Sequence, residues 1–487
     1  MTDDRPTQTM TLRGVRGFGR LWSASTVSAF GSYVTTFAVP FIVVDALDGD
    51  AVDVGLVNAA RWVPYLVFGL LAGVMVDRMR RRPVLVATDL LSAVALGAIP
   101  ALSMTGHLGV GWLVVLMAVF GLCTLVGDAA FQSFVPRVVP TTLLGSAHAR
   151  LDQSDAVAQV SGPALAGGLV RLLGAPLTVL VDAVSYLASA VLLATVKVDE
   201  PAVERRSNAR LRSIGTEIRE GVRWVYRHPT LRPLALSTHA WFACSAVAGA
   251  VMVPFAYRTL HLSAGTLGLA LSVAGLGALV GASVAVRLGR RFGAGRVIVV
   301  ARFGTGIAWG LMAFSPVAMH EGPAAGGWGG GPAWVVFALG QLLLGLCMGA
   351  ENTNELAYRQ TATPDALQGR MNATMRSINR AMIVVAAPLG GLLGDAAGYG
   401  AALVVAGGAL VVATAVTAGS RLWGARLGDA STSTADGLRA ARRCRGVPRS
   451  RRAGGCHLLV LSPVPLEPEI DWRAPKLSMA PSGEPSR

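Results

Sequence analysis

Charge is what this sequence has least of. Only 15% of its 487 residues are Asp, Glu, Lys or Arg, against roughly a quarter in soluble domains, and the mean hydropathy is +0.53. That shortage excludes an ordinary water-soluble protein. Lysine is confined to Lys197 and Lys476, so arginine carries nearly all of the positive charge. Five cysteines are too few for a disulfide framework. Cys123, Cys244 and Cys347 fall inside apolar runs, the usual place of a small buried thiol, whereas Cys444 and Cys456-His457 lack the further ligands a metal site needs. The seven histidines are scattered, which argues against a membrane-embedded enzyme built on clustered ligands. No Gly-x-x-x-x-Gly-Lys phosphate loop is present, so neither nucleotide nor any other cofactor is expected. The first apolar run is too long, and lacks the cleavage site, for a removable leader.

What the chain has is apolar length and glycine. Its 58 glycines suit helices packed closely in lipid. Apolar stretches long enough to cross a hydrocarbon core occur twelve times, at about 20–45, 52–76, 83–105, 110–131, 144–171, 175–196, 232–257, 264–287, 294–317, 333–357, 371–394 and 399–420. The expected fold is an all-α membrane protein of twelve transmembrane helices. It divides into an N-terminal segment 1–19, a six-helix bundle 20–196, a linker 197–231, a second bundle 232–420 and a tail 421–487.

A net charge of +15 would suggest nucleic acid in a soluble chain. Here the charge is distributed by topology. Arg13, Arg16 and Arg20, the 2–3 loop, the 6–7 loop, and Arg287, Arg290, Arg291 and Arg296 in the 8–9 loop are basic, whereas the 1–2 loop carries Asp45, Asp48, Asp50 and Asp53. The positive-inside rule places both termini in the cytoplasm of a bacterial cell. Within the linker, Leu211, Ile214, Ile218, Val222 and Val225 recur at helical spacing among charged residues, which predicts an amphipathic surface helix. The tail is rich in Arg, Pro, Ser and Ala without a period and is expected to be disordered.

The two bundles repeat each other. Gly121-Leu122-Cys123 recurs as Gly345-Leu346-Cys347, and the same interval pairs Phe134 with Tyr358, Gly145 with Gly369 and Gly167 with Gly391. Pro163 and Pro388 match after a one-residue slip. Colinear identities of this kind point to a six-plus-six duplication.

Four stretches carry a family likeness: Arg20-Leu21-Trp22 with Ser28 to Ser32; Pro64 leading to Gly73, Asp77-Arg78 and Arg82, then Asp89; Gln132 to Pro136 running to Gly162-Pro163 and Gly168; and Gly369-Arg370 with Pro388 to Gly391. On these the chain resembles the major facilitator superfamily, and within it the drug and siderophore exporters similar to the enterobactin exporter and macrolide-efflux proteins. The resemblance implies a cytoplasmic gate at Gly73, Asp77, Arg78, Arg81 and Arg82, an antiporter-like kink at Gly162, Pro163, Gly167 and Gly168, and a monomer. The second-half echo, Gly281 to Arg291, sets Ala285 where Asp77 would be.

Ionisable residues inside membrane spans are candidates for function. Asp128, Asp155, Glu351 and Glu355 are the proton-coupling candidates. If spans 1, 4, 7 and 10 line the cavity as in the family, Asp128, Glu351 and Glu355 are its carboxylates, and the alternative pairs Glu351 and Glu355 with Arg376 and Arg380. Tyr33, Phe37, His239, Trp241 and Phe242, with Arg376 and Arg380, are candidates for the cavity wall. Arg61 and Arg302 are expected to snorkel, with binding of an anionic cargo as the alternative. The sequence thus reads as a proton-coupled exporter of a small molecule in a lipid bilayer; an importer and a non-transporting sensor are the alternatives.

Overall fold

The computed structural model describes residues 12–77, 79–198, 209–321 and 331–427. Among them all regular secondary structure is helical. The first bundle comprises α1 (Phe18–Phe41), α2 (Ala51–Asp77), α3 (Arg81–Met104), α4 (Val110–Val138), α5 (Leu144–Leu173) and α6 (Ala175–Ala194). After α7 (Ala209–Arg227) the second comprises α8 (Leu231–Pro254), α9 (Ala264–Phe292), α10 (Ala294–Ala313), α11 (Gly331–Thr361), α12 (Asp365–Ala397) and α13 (Tyr399–Ala418). Eleven of these are apolar enough along their length to cross a bilayer; α2, 27 residues long, is the twelfth. Large apolar side chains such as Val67, Leu91, Val191 and Val416 stand exposed, as a surface solvated by lipid tails requires.

The duplication is written into the helix register. One constant interval carries the helix starts Phe18, Ala51 and Arg81 onto Leu231, Ala264 and Ala294. A second, slightly longer interval carries Leu173, Ala175 and Ala194 onto Ala397, Tyr399 and Ala418. The first relates α1–α3 to α8–α10, and the second relates α4–α6 to α11–α13. Both α1 and α8 end in one π-helical turn, Ile42–Ala46 and Phe255–Thr259. Gly121 lets α4 press on the Arg61 carbonyl of α2, and Gly345 lets α11 press on the Ala274 carbonyl of α9. Gly174 and Gly398 turn the chain sharply from one helix into the next with φ of 80° and 93°, a left-handed conformation that a side chain would strain. This register corrects the sequence echo: Arg290, not Ala285, stands at the position of Asp77. Gly281 is a glycine for another reason, because it packs against the Leu346 carbonyl of α11.

Two equivalent seams join the halves. Along one, Gly167 of α5 meets the Ala264 carbonyl of α9, while Gly268 meets the Pro163 carbonyl. Along the other, Gly391 of α12 meets the Ala51 carbonyl of α2, while Gly55 meets Ala387 and Pro388. Backbones this close allow no Cβ, which explains the glycines. Helix α7 docks on the second half: Gly221 abuts the Arg370 carbonyl, and Glu220 pairs with Arg370. The stretch expected to be disordered from 421 begins with an ordered turn, in which Leu422 and Ala425 are buried and the Ala425 carbonyl accepts Gly295 N–H at 3.1 Å. Residues 428–487 lie outside the described residues.

Candidate functional site

A polar cavity of about 400 Å³ opens inside the first bundle and is closed on one side by Arg380 of α12. Its charged lining is Arg61, Asp89, Asp128, Asp155 and Arg380. A second cavity of about 520 Å³ lies between α2, α4 and α12, and shares Tyr65, Asp128 and Arg380 with the first. The expectation that spans 1, 4, 7 and 10 line the cavity needs correction. Helices α3 and α6 contribute Thr88, Asp89, Ser92 and Ser189, whereas α8 and α11 contribute nothing to either cavity.

Asp128 and Asp155 each receive a tyrosine hydroxyl, Tyr65 at 2.9 Å and Tyr33 at 3.4 Å. Arg61 does not snorkel. Its Nη1 donates to Thr36 Oγ1 at 2.9 Å, and its guanidinium lies 5.1 Å from the Phe120 ring. Arg380 reaches across the seam and rests on Trp62, 3.8 Å from the ring centroid, with Tyr65 at 5.6 Å. Arg376, one turn away, lines only the second cavity.

Glu351 and Glu355 are not cavity carboxylates, nor do they pair with Arg376 and Arg380. Both hold Arg302 of α10, at 2.6 Å and 2.7 Å, and the arginine is 1% exposed. Ser237 and Thr238 of α8 accept further N–H groups from it, and Arg359 adds a second cation on Glu355 at 3.2 Å. An arginine this deeply paired cannot snorkel. Its partners lie on another helix, far along the chain, where helical spacing carries no hint of the pairing.

The position of this ion cluster explains why the cavity is one-sided. Under the two intervals Arg302 corresponds to Asp89, Ser237 and Thr238 to Ala24 and Ser25, and Glu351 and Glu355 to Gly127 and Phe131. All five first-half residues line the cavity. The second half fills with a guanidinium and two carboxylates the space that the first half leaves open.

The other aromatic candidates belong to packing. Phe37 is buried against Phe41, with ring centroids 5.0 Å apart. Trp241 and Phe242 meet edge to face at 5.0 Å and pack on the cores around them. His239 is buried between Tyr226 of α7 (2.8 Å) and Asn379 of α12 (2.7 Å). None of the four lines either cavity. Asp182 also belongs to the core, where it accepts from Thr35 at 2.5 Å and from Ser185.

Of the expected gate, Gly73 and Asp77 fall on the last turns of α2, where their side chains lie outside the described residues, as does Arg78 entirely. Arg81 Nη1 donates to the Met79 carbonyl at 3.2 Å, and Arg82 donates to the Ala194 carbonyl at the end of α6. Both therefore fasten the start of α3. Gly162 abuts the Tyr33 side chain, Gly167 sits on the α5–α9 seam, and a Cβ on Gly168 would meet nothing within 4 Å.

The end of the bundle carrying the acidic 1–2 loop is tied across the halves. Asp395 of α12 accepts the N–H groups of Ala51 and Val52 at 3.2 Å and 3.1 Å, capping α2. Arg258 donates to the Gly49 carbonyl at 2.9 Å, and Tyr257 donates to Asp45. At the other end the seams differ. Gly275 brings α9 against Val160 of α5, whereas Trp62 stands at the corresponding point of α2 and carries the Arg380 guanidinium of α12 on its ring. Among the described residues no His, Cys, Asp and Glu cluster could hold a metal ion.

Twelve helices in two pseudo-symmetric bundles, the first holding a polar cavity, define a membrane transporter of the major facilitator fold. Residues 12–435 match the model of the transmembrane secretion effector family, and the chain belongs to it. Among curated relatives, the multidrug efflux pump Tap of Mycolicibacterium fortuitum is 27% identical over 391 residues, 78% of this chain and 89% of that protein. Macrolide efflux protein A of Streptococcus pyogenes is 22% identical over 181 residues, 37% of this chain and 44% of its own. Solved structures share the fold: a bacterial homologue of the iron transporter ferroportin has a TM-score of 0.62 at 17% identity, covering 82% of this chain and 97% of its own. The nucleoside transporter NupG has a TM-score of 0.62 at 11% identity, covering 84% and 98%.

Proposed function

We propose that this protein is a proton-coupled exporter of drug-like small molecules, working as a monomer by alternating access. The observation that carries the reading is the carboxylate-lined cavity, which continues into the seam beside α12 while the opposite end is tied shut. The basic loops support a cytoplasmic open end, and on this reading cargo enters from the inside. The relatives named for multidrug and macrolide efflux support the outward direction.

Coupling falls to Asp128 and Asp155, which face the cavity and, among the described residues, each accept a hydrogen bond from a tyrosine hydroxyl. Glu351 and Glu355 are occupied by Arg302. Asp77 and Arg78, with Gly73, act as the gate that closes the cytoplasmic end when the cavity faces outward, and Gly162 and Pro163 shape α5 at the seam. Inverted membrane vesicles test this: acidifying the lumen drives uptake of chloramphenicol. Asp128→Asn or Asp155→Asn abolishes the gradient-driven uptake but leaves counterflow exchange. Uptake indifferent to the pH gradient in the unmodified protein overturns the coupling.

A further inference from the structure

We propose that the first-half cavity binds a planar organic monocation on the face of Trp62 that the Arg380 guanidinium covers, so that Arg380 is a built-in competitor of the cargo. The inference rests on the exporter reading and names its cargo class.

Three observations carry it. First, the guanidinium of Arg380 lies 3.8 Å from the Trp62 ring centroid and 5.6 Å from that of Tyr65. That is the geometry in which an aromatic face attracts a cation. The Tyr65 hydroxyl in turn donates to Asp128, which sets a carboxylate behind the aromatic pair. A planar, delocalised cation has the shape and charge of the group already there.

Second, the charges lining the cavity are three carboxylates (Asp89, Asp128, Asp155) against two guanidiniums (Arg61, Arg380). Arg61 is held by Thr36 and Phe120 within the first half. Arg380 belongs to the other half and leaves when the halves part along the α2–α12 seam. Its departure leaves three carboxylates against one cation, and a monocation restores the three-to-two count that Arg380 provided. Buried charge is tolerated only when paired.

Third, Asp89 stands where Arg302 stands in the second half. There the cation sits between Glu351 and Glu355. Here Asp89 Oδ2 is buried without a hydrogen-bond partner among the described residues. The first half thus sets a carboxylate where the second sets its cation, and its one lining guanidinium, Arg61, is engaged by Thr36 and Phe120.

The test is equilibrium binding to the purified full-length protein in nanodiscs, with ethidium as planar cation, fluorescein as anion and chloramphenicol as neutral comparator. Arg380→Met is expected to bind ethidium about ten-fold more tightly, the gain from one removed competitor at a desolvated aromatic face. Trp62→Leu is expected to bind it about ten-fold more weakly. Arg380→Lys keeps the charge and stays near the unmodified affinity, which separates competition from misfolding. Ethidium binding that is unchanged or weakened in Arg380→Met overturns the inference, as does fluorescein binding more tightly than ethidium and losing its site in Arg380→Met. Gradient-driven chloramphenicol uptake that persists in such a case leaves the exporter reading standing; if that uptake is absent too, both readings fall.

Discussion

Asp89 and Arg302 occupy equivalent points in the two halves, one facing an open cavity and the other locked between Glu351 and Glu355. A duplicated scaffold has been used once as a container and once as a plug. The plug ties α8, α10 and α11 together with charge-assisted bonds in a region where an unpaired ion is costly.

Removing one member of that cluster should therefore be severe. Arg302→Met leaves Glu351 buried without its cation and Glu355 with Arg359 alone, and is expected to lose about 3–5 kcal/mol, the usual cost of breaking a buried pair from one side. A triple change, Arg302→Met with Glu351→Gln and Glu355→Gln, should recover most of it. Thermal unfolding of the detergent-purified protein decides; a triple variant no more stable than Arg302→Met would show that the cluster's charges are not the point. Glu351→Gln should also keep pH-gradient-driven transport, because Glu351 lines neither cavity.

Asp395 fastens the end of the molecule opposite the cavity mouth by capping α2 across the halves. Asp395→Ala removes a cap worth about 1 kcal/mol, enough to raise the open population at that end about five-fold. In a cysteine-free background, a cysteine at the buried Val54 should then react several-fold faster with a membrane-impermeant maleimide. Equal rates with and without Asp395 would assign the closure to other contacts.

Gly167 and Gly168 are neighbours with opposite surroundings. A Cβ on Gly167 runs into the Ala264 carbonyl, whereas one on Gly168 meets nothing. Gly167→Ala should cost about 1–3 kcal/mol by overpacking, and Gly168→Ala should stay within about 0.5 kcal/mol. Paired melting curves give the answer, and a costly Gly168→Ala would contradict this arrangement of the seam.

His228, at the corner between α7 and α8, accepts from the N–H groups of Thr230 and Leu231 through Nδ1 at 3.4 Å and 3.3 Å. Partial burial lowers its pKa below the usual imidazole value. The unfolded chain therefore takes up the proton more readily than the folded one. The contribution to stability is full above the ordinary imidazole pKa and is lost as pH falls from there toward the depressed folded value. The protection factors of amides in residues 224–234, with intrinsic exchange rates divided out, should fall as pH drops below about 6.5 in the unmodified protein and show no extra acid sensitivity in His228→Asn.

The fold was legible because bilayer length, loop charge and repeated glycines act locally or along one helix. Gly121 and Gly345, and Gly167 and Gly391, do in space what their spacing suggests. The site was only partly legible. Asp128, Asp155 and Tyr33 face the cavity, but Glu351 and Glu355 read as cavity acids because their partner Arg302 sits among apolar neighbours on a different helix. Trp62 and Tyr65 carry no signal of their own although they stand beside Arg61, since one aromatic face looks much like another until its partner, Arg380, is known.

Gly275 and Trp62 mark the same point on the two seams, one lying against the Val160 backbone and the other carrying the Arg380 guanidinium on its ring. There the first seam is closed by main chain, which cannot be withdrawn without moving a helix, whereas the second is closed by a side chain that a change of rotamer can lift away.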